Sequence, residues 1–106
     1  MKLKYTAKKV AKIEETLDMP IEKALQDTKM SNLVQLVRFG QEEDISVDKA
    51  YDLIDEYLKE HDKTDIVFDV MEALVDAGFL SRKMNIQALR KEQNQEIEKA
   101  IKEITK

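Results

Sequence analysis

The sequence predicts an all-α fold: a small bundle of about five short helices followed by a C-terminal helical tail. Apolar residues return at intervals of three and four along most of the chain, the period of helices that bury one face. Only two glycines and one proline occur in 106 residues, too few for the many turns of an all-β sandwich. Small polar residues stand where several of the apolar repeats begin, as helix caps do. Residues 1–82 read as one helical domain and 83–106 as the tail, where the composition turns polar.

Each element has its own signal. Leu3 and Tyr5 alternate with Lys2 and Lys4, so residues 2–5 have the pattern of a short strand, with no second strand in the chain to pair with it. Thr6 is suited to cap a first helix through Val10, Ile13 and Leu17. Its charges run from Lys8, Lys9 and Lys12 to Glu14 and Glu15. That order opposes the helix dipole, so this helix must be held by packing. Asp18-Met19-Pro20 ends it, and Pro20 suits the start of a second, short helix with Ile21, Ala24 and Leu25 inward. Ser31 is the expected cap of a third helix through Leu33, Val34, Leu36, Val37 and Phe39, with Gly40 as a left-handed stop.

After the polar loop Gln41–Asp44, Ser46 is suited to cap a fourth helix, with Asp48 in its first turn. Its expected inward positions are Val47, Ala50, Tyr51, Leu53, Ile54, Tyr57 and Leu58. The fifth helix is expected to run from a Thr64 cap to a Gly78 stop, with Phe79 and Leu80 folding back onto its last turn. It is apolar on most faces, so it reads as the central helix of the bundle. Its interruptions, Asp65, Asp69, Glu72 and Asp76, follow one another at four, three and four residues. They make one stripe, expected to be its exposed edge. The cationic face of Lys8, Lys9 and Lys12 is expected to lie near that stripe and offset its self-repulsion. In the tail, Ile97, Ile101 and Ile104 recur at four and three after a run of polar residues.

The balance of charge bears on function. A net charge of −4 disfavours nucleic acid as the main partner, since phosphate binding needs a basic footprint. No apolar run approaches the length of a membrane span, and Met1–Tyr5 lacks the apolar stretch of a signal peptide. With no cysteine there is no disulfide or thiolate chemistry, which fits a cytoplasmic setting.

Motifs of catalysis and ligation are likewise missing from the sequence. His61, the one histidine, sits between Glu60 and Asp62 and reads as a solvated or helix-capping residue. One histidine with scattered carboxylates under-specifies a metal site. The acid-rich stretch Glu42–Asp76 lacks the alternating ligands and mid-loop glycine of a calcium loop. Gly40 and Gly78 stand alone, without the pattern of a phosphate-cradling loop. Ser31, Ser46 and Ser81 have no histidine in a triad-like pattern. The expectation is therefore of no enzyme, no cofactor and no metal.

Three stretches carry a resemblance to a known family. They are Tyr5–Leu17 with its Ile13-Glu14-Glu15 followed by Pro20–Leu25; Leu33–Gly40; and Ser46–Tyr57. Their order resembles the tail assembly chaperones of long-tailed phages and prophages, over about three quarters of the chain. Many members open with a β-hairpin, for which only Leu3–Tyr5 remains here. The resemblance implies a non-enzymatic protein of the infected host's cytoplasm, absent from the mature virion. It would bind the tape measure protein, and often tail tube subunits, until the tube polymerises. Some members also have a longer, frameshifted form.

Such a chaperone needs an apolar groove with polar rims. Ile97, Ile101 and Ile104 are the candidate partner-facing strip, because the tail has no evident place in the core. Met84 joins them as an adaptable apolar side chain, as do Met19, Met30 and Met71 where they do not simply fill core gaps. Two readings of other classes stand beside this one. One is a helix-turn-helix-like nucleic-acid-binding regulator using Ser31–Gly40 and Ser46–His61, although Asp48, Asp52, Asp55 and Glu56 on the second helix would repel phosphate. The other is a homo-oligomeric structural protein.

Overall fold

The computed structural model describes residues 1–80. Five helices occur in that span: α1 Ala7–Leu17, α2 Ile21–Gln26, α3 Met30–Phe39, α4 Val47–Tyr57 and α5 Lys63–Asp76. The helical class and the five-helix order agree with the sequence reading; the tail lies outside the described residues.

The core consists chiefly of Tyr5, Val10, Ile13, Ile21, the α3 residues Leu33, Val34, Leu36 and Val37, then Ala50 and Ile54, and Ile66, Val70 and Leu74. The closest helix pairs are α3 with α4, α1 with α3, α1 with α2, and α3 with α5. So α3, not α5, is the centre of the bundle. α5 buries Ile66, Phe68, Val70 and Leu74 but leaves Val67, Met71 and Val75 half-buried. Apolar content alone misplaced the centre, because the helix met on three sides is the one that connectivity puts in the middle.

Local chemistry explains where the helices start and stop. The Thr6 hydroxyl accepts from the Lys9 amide at 3.3 Å and caps α1. Asp18 closes that helix in the left-handed region, φ 52°, a conformation that a short polar side chain tolerates. Pro20 offers α2 no side-chain cap, and the Glu14 carboxylate supplies one instead by accepting from the Ile21 amide at 2.9 Å. Ser46 caps α4 through the Lys49 amide at 3.1 Å, with Asp48 in the first turn.

Two expected caps move. α3 begins at Met30, so Ser31 is an exposed residue inside its first turn and not its cap. The turn before it is tied instead by Asn32, whose side-chain amide donates to the Asp27 carbonyl at 3.1 Å. α5 begins at Lys63, so Thr64 is helical and Asp62 is the cap. Asp62 accepts from the Asp65 amide at 2.9 Å while Asp65 accepts from the Asp62 amide at 3.0 Å, a reciprocal capping box. At the far end Gly78 has φ 89°, and the Phe79 and Gly78 amides donate to the Leu74 and Val75 carbonyls. This is the two-bond Schellman closure, as the sequence led one to expect.

Gly40 has a different role from the one expected. Its φ of −81° is right-handed, so it is not a left-handed stop. It is required because the N-terminal segment crosses it. A Cβ at Gly40 would lie 2.7 Å from Leu3 Cδ2 and 3.0 Å from the Tyr5 hydroxyl. That segment forms no strand. Its backbone tie to the bundle is Lys4 N–H to the Gly40 carbonyl at 2.9 Å, so it lies on the end of a helix and not in a ladder. The Tyr5 hydroxyl, buried, donates to the Leu36 carbonyl at 2.7 Å.

Candidate functional site

A linked set of polar side chains lies where the N-terminal segment, the end of α4 and the middle of α5 meet. Asp69, one member of the α5 acidic stripe, lies there with its side chain 14% exposed. It accepts from the Tyr57 hydroxyl at 2.6 Å and from the Met1 ammonium at 2.9 Å. The Tyr57 ring stacks on His61, with centroids 4.1 Å apart and planes 12° from parallel. His61 Nδ1 in turn lies 3.7 Å from Asp65 Oδ2. One chain of contacts thus runs from the N-terminus through Asp69 and Tyr57 to His61 and Asp65.

This corrects the expected acidic edge. Asp65, Asp69 and Glu72 are half-buried and Asp76 alone is exposed. A stripe on one helix becomes internal wherever the next element covers it, and Tyr57 and the N-terminal segment cover Asp69. The cationic partner also differs. Lys8 and Lys12 are exposed and form no ion pair with described residues, while Lys9 Nζ donates to the Gln41 carbonyl at 2.6 Å. α1 and α5 are not close neighbours in the bundle, which removes the basis for that pairing.

A groove of about 490 Å³ opens beside this junction, between the N-terminal residues Met1 and Lys2 and the α4 side chains Leu53, Glu56 and Tyr57. Two large apolar side chains of α4 are exposed, Tyr51 at 36% and Leu53 at 37%. The sequence pattern places both inward, and the structure corrects this. Ala50 and Ile54 point into the core, and Val47, Tyr57 and Leu58 are half-buried. The inward face of so short a helix is narrow, and Tyr51 and Leu53 fall on its two shoulders. The sequence signal for this was the line Leu53–Tyr57 four residues apart, flanked by acids on the outer side.

The sequence-derived partner residues Met84, Ile97, Ile101 and Ile104 lie outside the described residues. Met19, Met30 and Met71 are half-buried. Among the described residues no group of three His, Cys, Asp or Glu is placed to hold a metal ion. No helix among them is long and apolar enough to cross a membrane. Burial pushes the Tyr5 hydroxyl pKa far above its ordinary value, so the phenol stays protonated as a donor and is a structural group. Compared with known protein families, curated proteins and solved structures, the chain matches none.

Proposed function

We propose that this chain is a non-enzymatic helical interaction protein of the tail assembly chaperone type, holding apolar helices of a phage tape measure protein, and in some systems tail tube subunits, in the host cytoplasm before tube assembly. The observation that carries the reading is the α4 surface: Leu53 and Tyr57 line an open groove with polar rims, and Tyr51 is exposed on the opposite shoulder of the helix, apolar surface of the kind that a holder of apolar helices needs. The five-helix order over residues 7–76 is the order on which the family resemblance rests.

The nucleic-acid reading has less support. Asp48, Asp52, Asp55 and Glu56 are all exposed on α4, and a recognition helix with that face would repel phosphate. A homo-oligomer is tested by the same purification, through the mass of the isolated protein.

The decisive experiment co-expresses the chain with the tape measure protein encoded nearest to it and asks for co-purification and for retention of the tape measure in the soluble fraction. Both are expected. A tape measure that stays soluble without this chain, or that does not co-purify with it, overturns the reading.

A further inference from the structure

We infer that the outer shoulder of α4 is a docking site for a basic amphipathic helix of another protein. Leu53 and Tyr57 are four residues apart and lie on one edge of α4, and His61, stacked on Tyr57, continues the row. Leu53 and Tyr57 are separated by about 6 Å of helical rise, the i, i+4 spacing of successive anchor positions on a partner helix. Met1 and Lys2 form the facing wall of the groove.

Charge selects the occupant. Asp52, Glu56 and Glu60 run alongside the apolar row at intervals of four, all exposed. Every Asp and Glu from Glu42 to Asp62 is exposed, and the only lysines or arginines in that stretch are Lys49 and Lys59. Lys59 meets Glu56 at 2.9 Å, but both side chains are about 70% exposed. A pair so solvated is worth little and yields to a competing cation. An anionic ligand is repelled by this face, and an apolar helix that also carries cations gains an attraction that a neutral one does not.

Conformation follows from the same wall. The backbone of α4 is used up in its own hydrogen bonds, so this side of the groove offers no strand edge. A partner must engage it through side chains, as a helix does, with aliphatic residues on Leu53 and Tyr57 and lysines or arginines on the acidic row. The Lys2 wall fixes the orientation, because the partner's cations must face α4. This inference rests on the proposed reading of α4 as an interaction face and specifies the helix it takes; peptide binding tests it separately from the identity of the partner.

The test uses the full chain and a designed Lys/Leu peptide of about 18 residues, long enough for a marginal amphipathic helix. Binding is followed by calorimetry and by amide shift mapping. The expected result is one-to-one binding, shifts centred on α4, and affinity that falls with added salt. Leu53→Asn should weaken binding about tenfold while the protein stays folded with only a modest fall in its unfolding midpoint, since Leu53 is partly exposed at 37%. The double variant Glu56→Lys with Glu60→Lys should weaken it at least as much, and Lys12→Glu on α1 should not weaken it. Equal binding of an oligolysine of the same charge, parental affinity in Leu53→Asn, or shifts centred elsewhere would each overturn the site.

Discussion

Helices α3 and α5 both read as core from their sequences, yet they are held in place by different means. α5 is the longer, running Lys63–Asp76, and it is locally self-sufficient. A capping box closes its start and a glycine-based closure its end. α3 has no side-chain cap at its start, but α1, α4 and α5 all pack on it and five of its residues are buried. Short helices are marginal alone, and tertiary packing can replace capping. The difference teaches that an apolar sequence marks a helix as buried on some face, while the number of neighbours marks the centre.

The largest expected effect tests that ranking directly. Leu36→Ala removes a fully buried side chain at the middle of α3 and should cost about 2–5 kcal/mol. Val75→Ala on the half-buried side of α5 should cost about 1 kcal/mol or less. Urea unfolding of both variants measures the gap, and equal losses would return α5 to the centre.

Next in size is the crossing at Gly40. Gly40→Val introduces a branched side chain whose Cβ would stand within 3.1 Å of atoms of Leu3 and Tyr5, so the N-terminal segment must shift. A cost of about 1–3 kcal/mol follows, with the Lys4 and Tyr5 amide signals moving most. The corresponding change at Gly78 meets no neighbour and is strained only through its φ of 89°, so the two glycines separate crowding from backbone conformation.

Capping gives a smaller, cleaner contrast within α5. Asp62→Ala breaks the capping box and should cost about 0.5–2 kcal/mol, whereas Thr64→Ala, at a position that the sequence suggested as the cap, should be close to neutral. Thermal unfolding of the pair decides between them. A larger loss at Thr64 would move the helix start.

Much of this fold was legible because its signals are local. Thr6, Pro20, Ser46 and Gly78 mark helix ends by their own chemistry, and Val10, Ile13, Ala24, Ile54, Ile66 and Leu74 recur on helical spacing. What was not legible depends on contacts distant in sequence. Nothing near Gly40 announces that Leu3 and Tyr5 cross it. Nothing near Asp69 announces Tyr57 and the N-terminus. Glu14 gives no local sign that it caps the next helix. The sequence pattern puts Tyr51 and Leu53 inward because an apolar residue beside a periodic stripe looks like part of it, and only the packing of α4 on α3 shows how narrow the stripe is. The acidic flank of that site was visible in the sequence as charge; its adjacency to a groove was not.

The smallest effect lies at the joint between the N-terminal segment and α3. Tyr5→Phe removes the hydroxyl that donates to the Leu36 carbonyl. That carbonyl also accepts from the Gly40 amide at 3.1 Å, so it is not left without a partner, and the loss should be about 0.5–1.5 kcal/mol. The pH dependence has a definite sign. Burial raises the Tyr5 pKa in the folded state, so the folded protein keeps a proton that the unfolded chain releases above about pH 10. This contribution is whole below that pH and is lost as pH rises through it toward the folded value. Lysines titrate in the same range, so the difference between the parent and Tyr5→Phe is the informative quantity. Stability of the parent should fall more steeply between about pH 9.5 and 11, a window set by the unfolded phenol. Parallel curves would mean that the phenol is not buried against α3, and the segment would then be a loose appendage instead of part of the core that α3 organises.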